Sequence, residues 1–362
     1  MPVTLFSTGI GYTGIDPWTN LDGRLNAPSG IPQRPTILNG YPLSSPPNVR
    51  IRWPNLVIGQ PPWKAAGVDY PVGPRSTPLN DPNTITTTDD GINFYRVGNL
   101  VHCHANNTLS GYDMSGGWSV EIDGDSVTIQ DCHIVAPTAV VGSGKLIDDI
   151  SGGSNLTLQY NILDGNGVAD FPVNCNASGT LTLLYNYVLN SSSDMMNWSV
   201  SNDTIHQSLV CMFNLWDGGS DNPGAHADLY QTQSGTRDNE TVQFNTYYIN
   251  NPAQGTQGLG VADGTGTSRT VQCNVSYNTF VALGAAGGGA LSYAIGLDGA
   301  QLAGEPGPWT FYYNHCDPTT TPSGAQFFKT AGTFGTGFGL STSSNNVNMA
   351  TGTVPAGSPW NS

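Results

Sequence analysis

The segments Leu-Thr-Leu-Gln-Tyr-Asn161 and Leu-Thr-Leu-Leu-Tyr-Asn186 decide the fold, because the same short phrase recurs along the chain. Each copy alternates apolar with polar residues, continues with an aromatic residue and ends in asparagine. Further copies end at Asn214, Asn245, Asn278 and Asn314, and a weaker copy ends at Asp131. From Asp131 onward the copies are separated by 30, 25, 28, 31, 33 and 36 residues. A phrase that returns at such intervals indicates a repeat fold.

Each copy follows another short strand, and a Gly, Ser or Asp turn separates the two. The segment 118–123, which precedes Gly124, is one example. Such period-two stretches bounded by turn residues are typical of β-strands. An antiparallel sandwich would also contain short strands, but it does not explain the return of one phrase. We therefore predict parallel pairing between repeats, with Leu158, Leu183, Cys211 and Phe244 in one interior row.

This rhythm resembles the right-handed parallel β-helix superfamily, often called pectin-lyase-like, over roughly residues 92–330. The resemblance rests on the repeat and not on a family signature. It implies an all-β solenoid in which like residues of neighbouring coils stack about 4.8 Å apart. The recurring asparagines would then form a ladder of side-chain amides, or they would simply end each strand at a turn.

The sequence divides into three parts. Residues 1–90 are rich in proline, which is excluded from central strands, and are interpreted as an extended arm or a cap over the terminal coil. An attachment segment is the alternative. Residues 91–330 are predicted to form the β-helix, and the Gly-, Ser- and Thr-rich residues 331–362 are expected to be a C-terminal cap or tail.

Composition narrows the function classes. Only 10% of the residues are charged and the formal net charge is -15, which disfavours binding to nucleic acid and to anionic membranes. No apolar run approaches the roughly 20 residues of a membrane span, and no signal peptide is recognised. Neutral polar groups must cover most of the surface, which suits carbohydrate or packing against other proteins.

The segment 216–231 is the most suggestive for chemistry. Its His-x-Asp phrase is similar to one found in β-helix proteins that act on or bind polysaccharides, and a neutral histidine beside a carboxylate can act as a general base or acid. If Ala227 points inward, the side chains of His226, Asp228 and Tyr230 share an outer face. The catalytic candidates are His226, Asp228, Asp217 and Asp221, and the substrate-binding candidates are Tyr230, Gln231, Asn197 and Trp216. Alternatively, His226 and Asp228 bond each other and only hold the loop.

Cysteine and acidic residues give two further hypotheses. Cys103 and Cys132 lie 29 residues apart, about one coil, so a disulfide, a Zn²⁺ site with nearby histidines or unlinked thiols are all compatible with the sequence. Two acidic pairs could bind Ca²⁺: Glu121 with Asp123, and Asp148 with Asp149. No cofactor or other metal site is otherwise predicted.

Two function classes remain. The first is a virion-associated structural protein, such as a phage capsid decoration, tailspike or fibre, with contact to host polysaccharide. It would assemble with itself, as the trimer common in the families that the chain resembles, and with a capsid or tail protein. The second is a secreted, extracellular enzyme that hydrolyses or cleaves polysaccharide. The scarcity of cations beside the His226 segment disfavours a lyase acting on an acidic polymer.

Overall fold

A computed structural model describes most of the chain between residues 65 and 331. The described residues are 3–4, 11–12, 65–68, 70–75, 78–138, 144–150, 155–176, 178–198, 206–217, 227–230, 232, 235–249, 256–260, 269–282, 293–298, 307–317, 326–331 and 346–348. Within them the elements are 30 β-strands and one 3₁₀ turn at Pro82–Thr84. In this part of the chain no helix is long and apolar enough to cross a membrane. The described fold is therefore all-β, as the sequence predicts.

The strands follow one another in threes, and each set of three makes one coil. Before the first coil, β1 (Val3–Thr4) and β2 (Gly11–Tyr12) pair with each other, and β3 (Tyr95–Val97) is antiparallel to β4. The strands that build the coils are β4 (Leu100–Cys103), β5 (Thr108–Ser110), β6 (Asp113–Met114); β7 (Ser119–Ile122), β8 (Val127–Gln130), β9 (His133–Val135); β10 (Lys145–Asp149), β11 (Asn155–Gln159), β12 (Ile162–Asp164); β13 (Phe171–Cys175), β14 (Gly179–Leu184), β15 (Tyr187–Leu189); β16 (Met196–Trp198), β17 (His206–Met212), β18 (Leu215–Asp217); β19 (Ala227–Tyr230), β20 (Thr236–Gln243), β21 (Thr246–Ile249); β22 (Thr256–Gly260), β23 (Arg269–Thr270) with β24 (Cys273–Ser276), β25 (Thr279–Ala282); β26 (Tyr293–Asp298), β27 (Trp309–Tyr312), β28 (His315–Asp317); and β29 (Gln326–Ala331) with β30 (Val347–Asn348). We number these sets coils 1 to 9.

Corresponding strands of successive coils pair in parallel and form long sheets. Sheet one has the order β16-β13-β10-β7-β4-β3, and a four-stranded sheet, β19-β22-β26-β29, holds the corresponding strands of later coils. Sheet two runs β27-β24-β20-β17-β14-β11-β8-β5, and sheet three runs β30-β28-β25-β21-β18-β15-β12-β9-β6. The chain visits the sheets in turn and then repeats, which is the arrangement of a solenoid.

The interior rows confirm the predicted register with one correction. Leu158 pairs with Leu183, and Leu183 with Cys211, and all three side chains are buried. The fourth member of the row is Val242. Phe244 was the wrong choice because it follows the strand, has a φ of 56° and lies at the outer corner between sheets two and three.

The recurring asparagines form a buried ladder, so the ladder interpretation is confirmed. The Oδ1 of each asparagine accepts from the backbone N–H and the Nδ2 of the asparagine one coil earlier, at 2.8–3.1 Å. The Nδ2 also donates to a strand carbonyl in the preceding coil. The rungs are Asn161, Asn186, Asn214, Asn245, Asn278, Asn314 and Asn346, and the Oδ1 of Asn161 accepts from the N–H of Cys132. These bonds satisfy polar groups that the corner would otherwise leave buried and unpaired.

The aromatic residue before each asparagine forms a second ladder on the outside of the same corner. Neighbouring rings are stacked with centroids 4.9–5.3 Å apart, and every one of these residues has a positive φ of 55–62°. The rings belong to Tyr160, Tyr185, Phe213, Phe244, Tyr277 and Tyr313. Such φ values are unfavourable for a bulky residue, so the burial and stacking of these rings must offset local backbone strain.

Candidate functional site

The outer face of sheet one carries a row of polar side chains, one from each of five successive coils. The five residues are in register and we call them the polar row: His102, Glu121, Asp148, Asn174 and Asn197. The Nδ1 of His102 lies 3.2 Å from Oε1 of Glu121. The Nδ2 of Asn174 donates to Asp148 at 2.6 Å, and the Nδ2 of Asn197 donates to Asn174 at 2.7 Å. The row therefore fixes carboxylate, imidazole and amide groups at one-coil intervals.

Strand alternation explains why these residues face outward. In β4 the flanking Val101 and Cys103 are fully buried, so His102 between them must point to the other side of the strand. The flanking Val120 and Ile122 place Glu121 in the same way. Apolar neighbours thus define the direction of each polar residue, and the parallel register aligns them.

A second histidine, His104, joins the polar row to the segment before the first coil. Its Nε2 lies 2.9 Å from Asp89 and its Nδ1 lies 3.0 Å from Asp123. The Tyr95 ring stacks on His102 at 4.8 Å and lies 5.5 Å from His104. The hydrogen bond with Asp89 is the main cause of a raised His104 pKa, and the same bond lowers the pKa of Asp89. Two carboxylates therefore favour the imidazolium form of His104.

The polar row is partly accessible at its two ends, at His102 and Glu121 and again at Asn197. The side chains of His102 and Glu121 are 15% and 28% exposed, whereas Asp148 and Asn174 are buried. Partly exposed histidine and carboxylate groups, with an aromatic ring beside them, can hydrogen-bond and stack against a sugar, and the carboxylates would repel an anionic polymer. A carboxylate beside an imidazole can also transfer protons.

The residues proposed from the segment 216–231 are not all described. His226, Asp221 and Gln231 lie outside the described residues. Asp228 lies in β19, where its backbone N–H donates to the carboxylate of Asp194 at 2.9 Å, and Asn197 belongs to the polar row. Asp217 lies in β18 of sheet three. The structure thus places Asp217 and Asp228 in different sheets.

Two of the substrate-binding candidates lie in the interior. Tyr230 is buried and its hydroxyl donates to Oε2 of Glu240 at 2.7 Å. The expectation that Tyr230 faces outward is therefore wrong, because Tyr230 is in register with the buried Leu259 of the next coil. Trp216 is also buried and stacks on Tyr247, with ring centroids 6.1 Å apart.

Asp217 has an internal partner. Its carboxylate accepts a 2.6 Å hydrogen bond from the Tyr187 hydroxyl, and its burial raises its pKa to about 6 although this bond lowers it. A carboxyl group that titrates near neutral pH is suited to proton transfer. Here it lies in a buried pair, which is equally the expected state of a structural carboxyl group.

All six cysteines are free and buried, so of the three possibilities for Cys103 and Cys132 the unlinked thiols are confirmed and the disulfide is not formed. Cys103 is in register with Ile122 of sheet one. Cys132 occupies the position of the asparagine ladder in coil 2, where its N–H donates to Asn161. The spacing of 29 residues matched one coil only approximately, because coil lengths vary, and the two cysteines therefore lie on different sides of the solenoid.

Of the two acidic pairs considered for Ca²⁺, Asp148 and Asp149 lie on opposite faces of β10. Asp148 faces outward in the polar row, whereas Asp149 lies in the interior row with Ile122 and Cys175. Adjacent strand residues on opposite faces cannot share one ion. Among the residues that the structure describes, no three His, Cys, Asp or Glu side chains form a group that could hold a metal ion.

From the sequence alone, His102 and His104 are expected only as Zn²⁺ ligands beside Cys103. Their pairing with Glu121 and Asp123, which belong to the next coil, is not expected. The sequence does contain a signal for this pairing. Glu121 follows His102 by 19 residues, and Asp123 follows His104 by the same interval. That short first coil differs from the interval of about 30 residues between later repeats.

No protein-family model, no curated protein and no solved structure matches this chain.

Proposed function

We propose that the chain is a right-handed parallel β-helix of the pectin-lyase-like type and acts as a structural, virion-associated rod. A phage capsid decoration, tailspike or fibre is the kind of component meant. The observation that carries the proposal is the pair of lengthwise ladders, one of buried asparagines and one of stacked aromatic rings. The asparagine ladder couples coils 3–9 and the aromatic ladder couples coils 3–8, which favours a stiff rod that can carry mechanical force.

The polar row is the proposed contact with host polysaccharide. Sugar hydroxyls both donate and accept hydrogen bonds, and the row offers both kinds of partner at fixed intervals. Its carboxylates and the net charge of -15 favour neutral or amino-substituted sugars over anionic polymers. Tyr95, stacked beside His102, adds an aromatic edge to this face.

A polysaccharide-degrading enzyme is the second candidate, and one observation favours it. Glu121 and Asp148 are neighbours in register on the outer face, beside His102. Paired carboxyl groups can hydrolyse a glycosidic bond when their separation suits the mechanism. The burial of Asp148 argues against it, since a catalytic carboxyl group must reach the substrate.

The test is to incubate the protein with a panel of bacterial capsular and O-antigen polysaccharides and to measure both retention and released reducing ends. The proposal predicts retention of a neutral or amino-sugar polymer without release, weakened by Tyr95→Ala and Glu121→Gln. Thr157→Ala, on the outer face of sheet two, is the matched control and should bind normally. Release that is abolished by Glu121→Gln, His226→Ala or Asp228→Ala would establish the enzyme instead. Failure to retain any polymer would remove the polysaccharide contact from the proposal.

A further inference from the structure

The described residues of the segment 65–80 run lengthwise along the solenoid, outside the corner that carries the aromatic ladder. We call this segment the strap, of which 65–68, 70–75 and 78–80 are described. Ala66, Tyr70 and Val72 are buried in one apolar cluster with the ladder rings and with outward side chains of sheet three such as Leu215. The strap therefore covers apolar surface that the coils leave on their outside.

The strap meets the coils in reverse order. Gly67 lies against Leu215 of coil 5, where even an added Cβ would be only 2.5 Å from the leucine side chain. Tyr70 makes an edge contact with Tyr185 of coil 4 at 6.2 Å, and the N–H of Gly73 donates to the Tyr185 carbonyl at 3.0 Å. The chain thus passes from coil 5 toward coil 4 with close packing at both points.

An arginine fixes the strap to the next two coils. The guanidinium of Arg75 lies 4.0 Å from the ring centre of Tyr160 in coil 3. Its Nε and Nη2 donate to the two oxygens of Asp131 in coil 2 at 2.9 and 2.6 Å, and its backbone N–H also donates to Asp131. Asp131 occupies the ladder position that later coils give to an aromatic ring. A bidentate pair with a stacked ring is a geometry that lysine cannot reproduce.

The end of the strap is bonded to coil 1. The N–H of Asn80 donates to the Gly111 carbonyl at 2.7 Å, and the N–H of Asp113 donates to the Asn80 carbonyl at 2.9 Å. The strap therefore contacts coils 5, 4, 3, 2 and 1 in that order, from Gly67 at coil 5 to Asn80 at coil 1.

We infer that the strap is a clamp that makes coils 1–5 one cooperative unit. In a solenoid each coil otherwise contacts only its neighbours, so that terminal coils can open one at a time. The strap adds a covalently continuous link between coils that are not neighbours, so coil 1 can open only if its bonds to Asn80 break or if the strap is pulled from the later coils.

Native-state hydrogen exchange on the full-length protein, followed by mass spectrometry, tests the clamp. Peptides from the strands of coils 1–5 should show equal protection in the native sequence. In Tyr70→Ala/Arg75→Ala the protection of coil 1 should fall by at least 10-fold and that of coil 4 by less, with coils 7 and 8 unchanged. Arg75→Lys, which keeps the charge, should give an intermediate loss of protection at coils 1–3. This milder variant keeps the test valid if the double variant fails to fold. Lys145→Ala, on sheet one away from the strap, is the control. Unchanged protection in the strap variants, or an equal loss in all coils, would overturn the inference.

Discussion

The asparagine ladder gives a quantitative prediction at its middle rung. In Asn214→Ala, the N–H of Asn186 and the carbonyl of Leu183 each lose their bond to the Asn214 side chain, at 2.8 and 2.9 Å. Both groups belong to buried parts of the corner. A buried polar group left without a partner costs about 2 kcal/mol, so the two together should lower the free energy of unfolding by about 4 kcal/mol. The rung above, Asn245, also loses a donor.

Urea unfolding followed by circular dichroism measures this loss. The control is Asn155→Ala, because Asn155 is exposed on β11 and its amide makes only a 3.3 Å bond to Asp125. The control should lose less than about 1 kcal/mol. If Asn214→Ala loses no more than Asn155→Ala, the ladder does not stabilise the coils and the reasoning is refuted.

Three further predictions follow from buried groups. Burial raises the Asp149 pKa from 3.8 to about 7. Because the carboxyl group ionises at lower pH in the unfolded chain, the free energy of unfolding should fall by up to about 4 kcal/mol as the pH rises from 4 to 8. Urea titrations should show that Asp149→Asn removes most of this fall, and the same pH dependence in both proteins would contradict the prediction. Cys132→Asn should add a rung to the ladder, since the thiol already lies 3.8 Å from the Leu109 carbonyl, and should raise Tm by a few degrees; a lower Tm would show that the site cannot hold an amide. All six cysteines are buried, and burial raises the pKa of Cys132 and Cys211 to about 12, so a thiol reagent should label none before global unfolding and all six after it.

The parallel coils could be predicted from the sequence because one phrase recurs at intervals of about one coil. Apolar alternation in Leu-Thr-Leu placed Leu158 and Leu183 inside, and the recurring asparagine identified the ladder corner. Phe244 and Tyr230 were placed wrongly for related reasons. Phe244 follows the alternating run at a residue with positive φ, where the two-residue period no longer applies. Tyr230 packs inside because Glu240 provides a partner for its hydroxyl, and that pairing spans two strands.

The candidate site was harder to predict than the fold. His102 and Glu121 meet only because the first coil is shorter than the interval set by the later repeats. The position of the strap could not be predicted from periodicity either. Its proline-rich sequence has no repeat that would indicate a contact between Arg75 and Asp131. Long-range contacts of this kind depend on the register of coils, which local patterns do not encode.

We propose that the chain is a structural rod that assembles with its own copies. Light scattering coupled to size exclusion on the full-length protein, with electron microscopy of the same fraction, measures this most directly. We expect a trimer, with a mass about three times the 38.1 kDa of one chain, and elongated particles. A compact monomer of 38.1 kDa at all concentrations would contradict it.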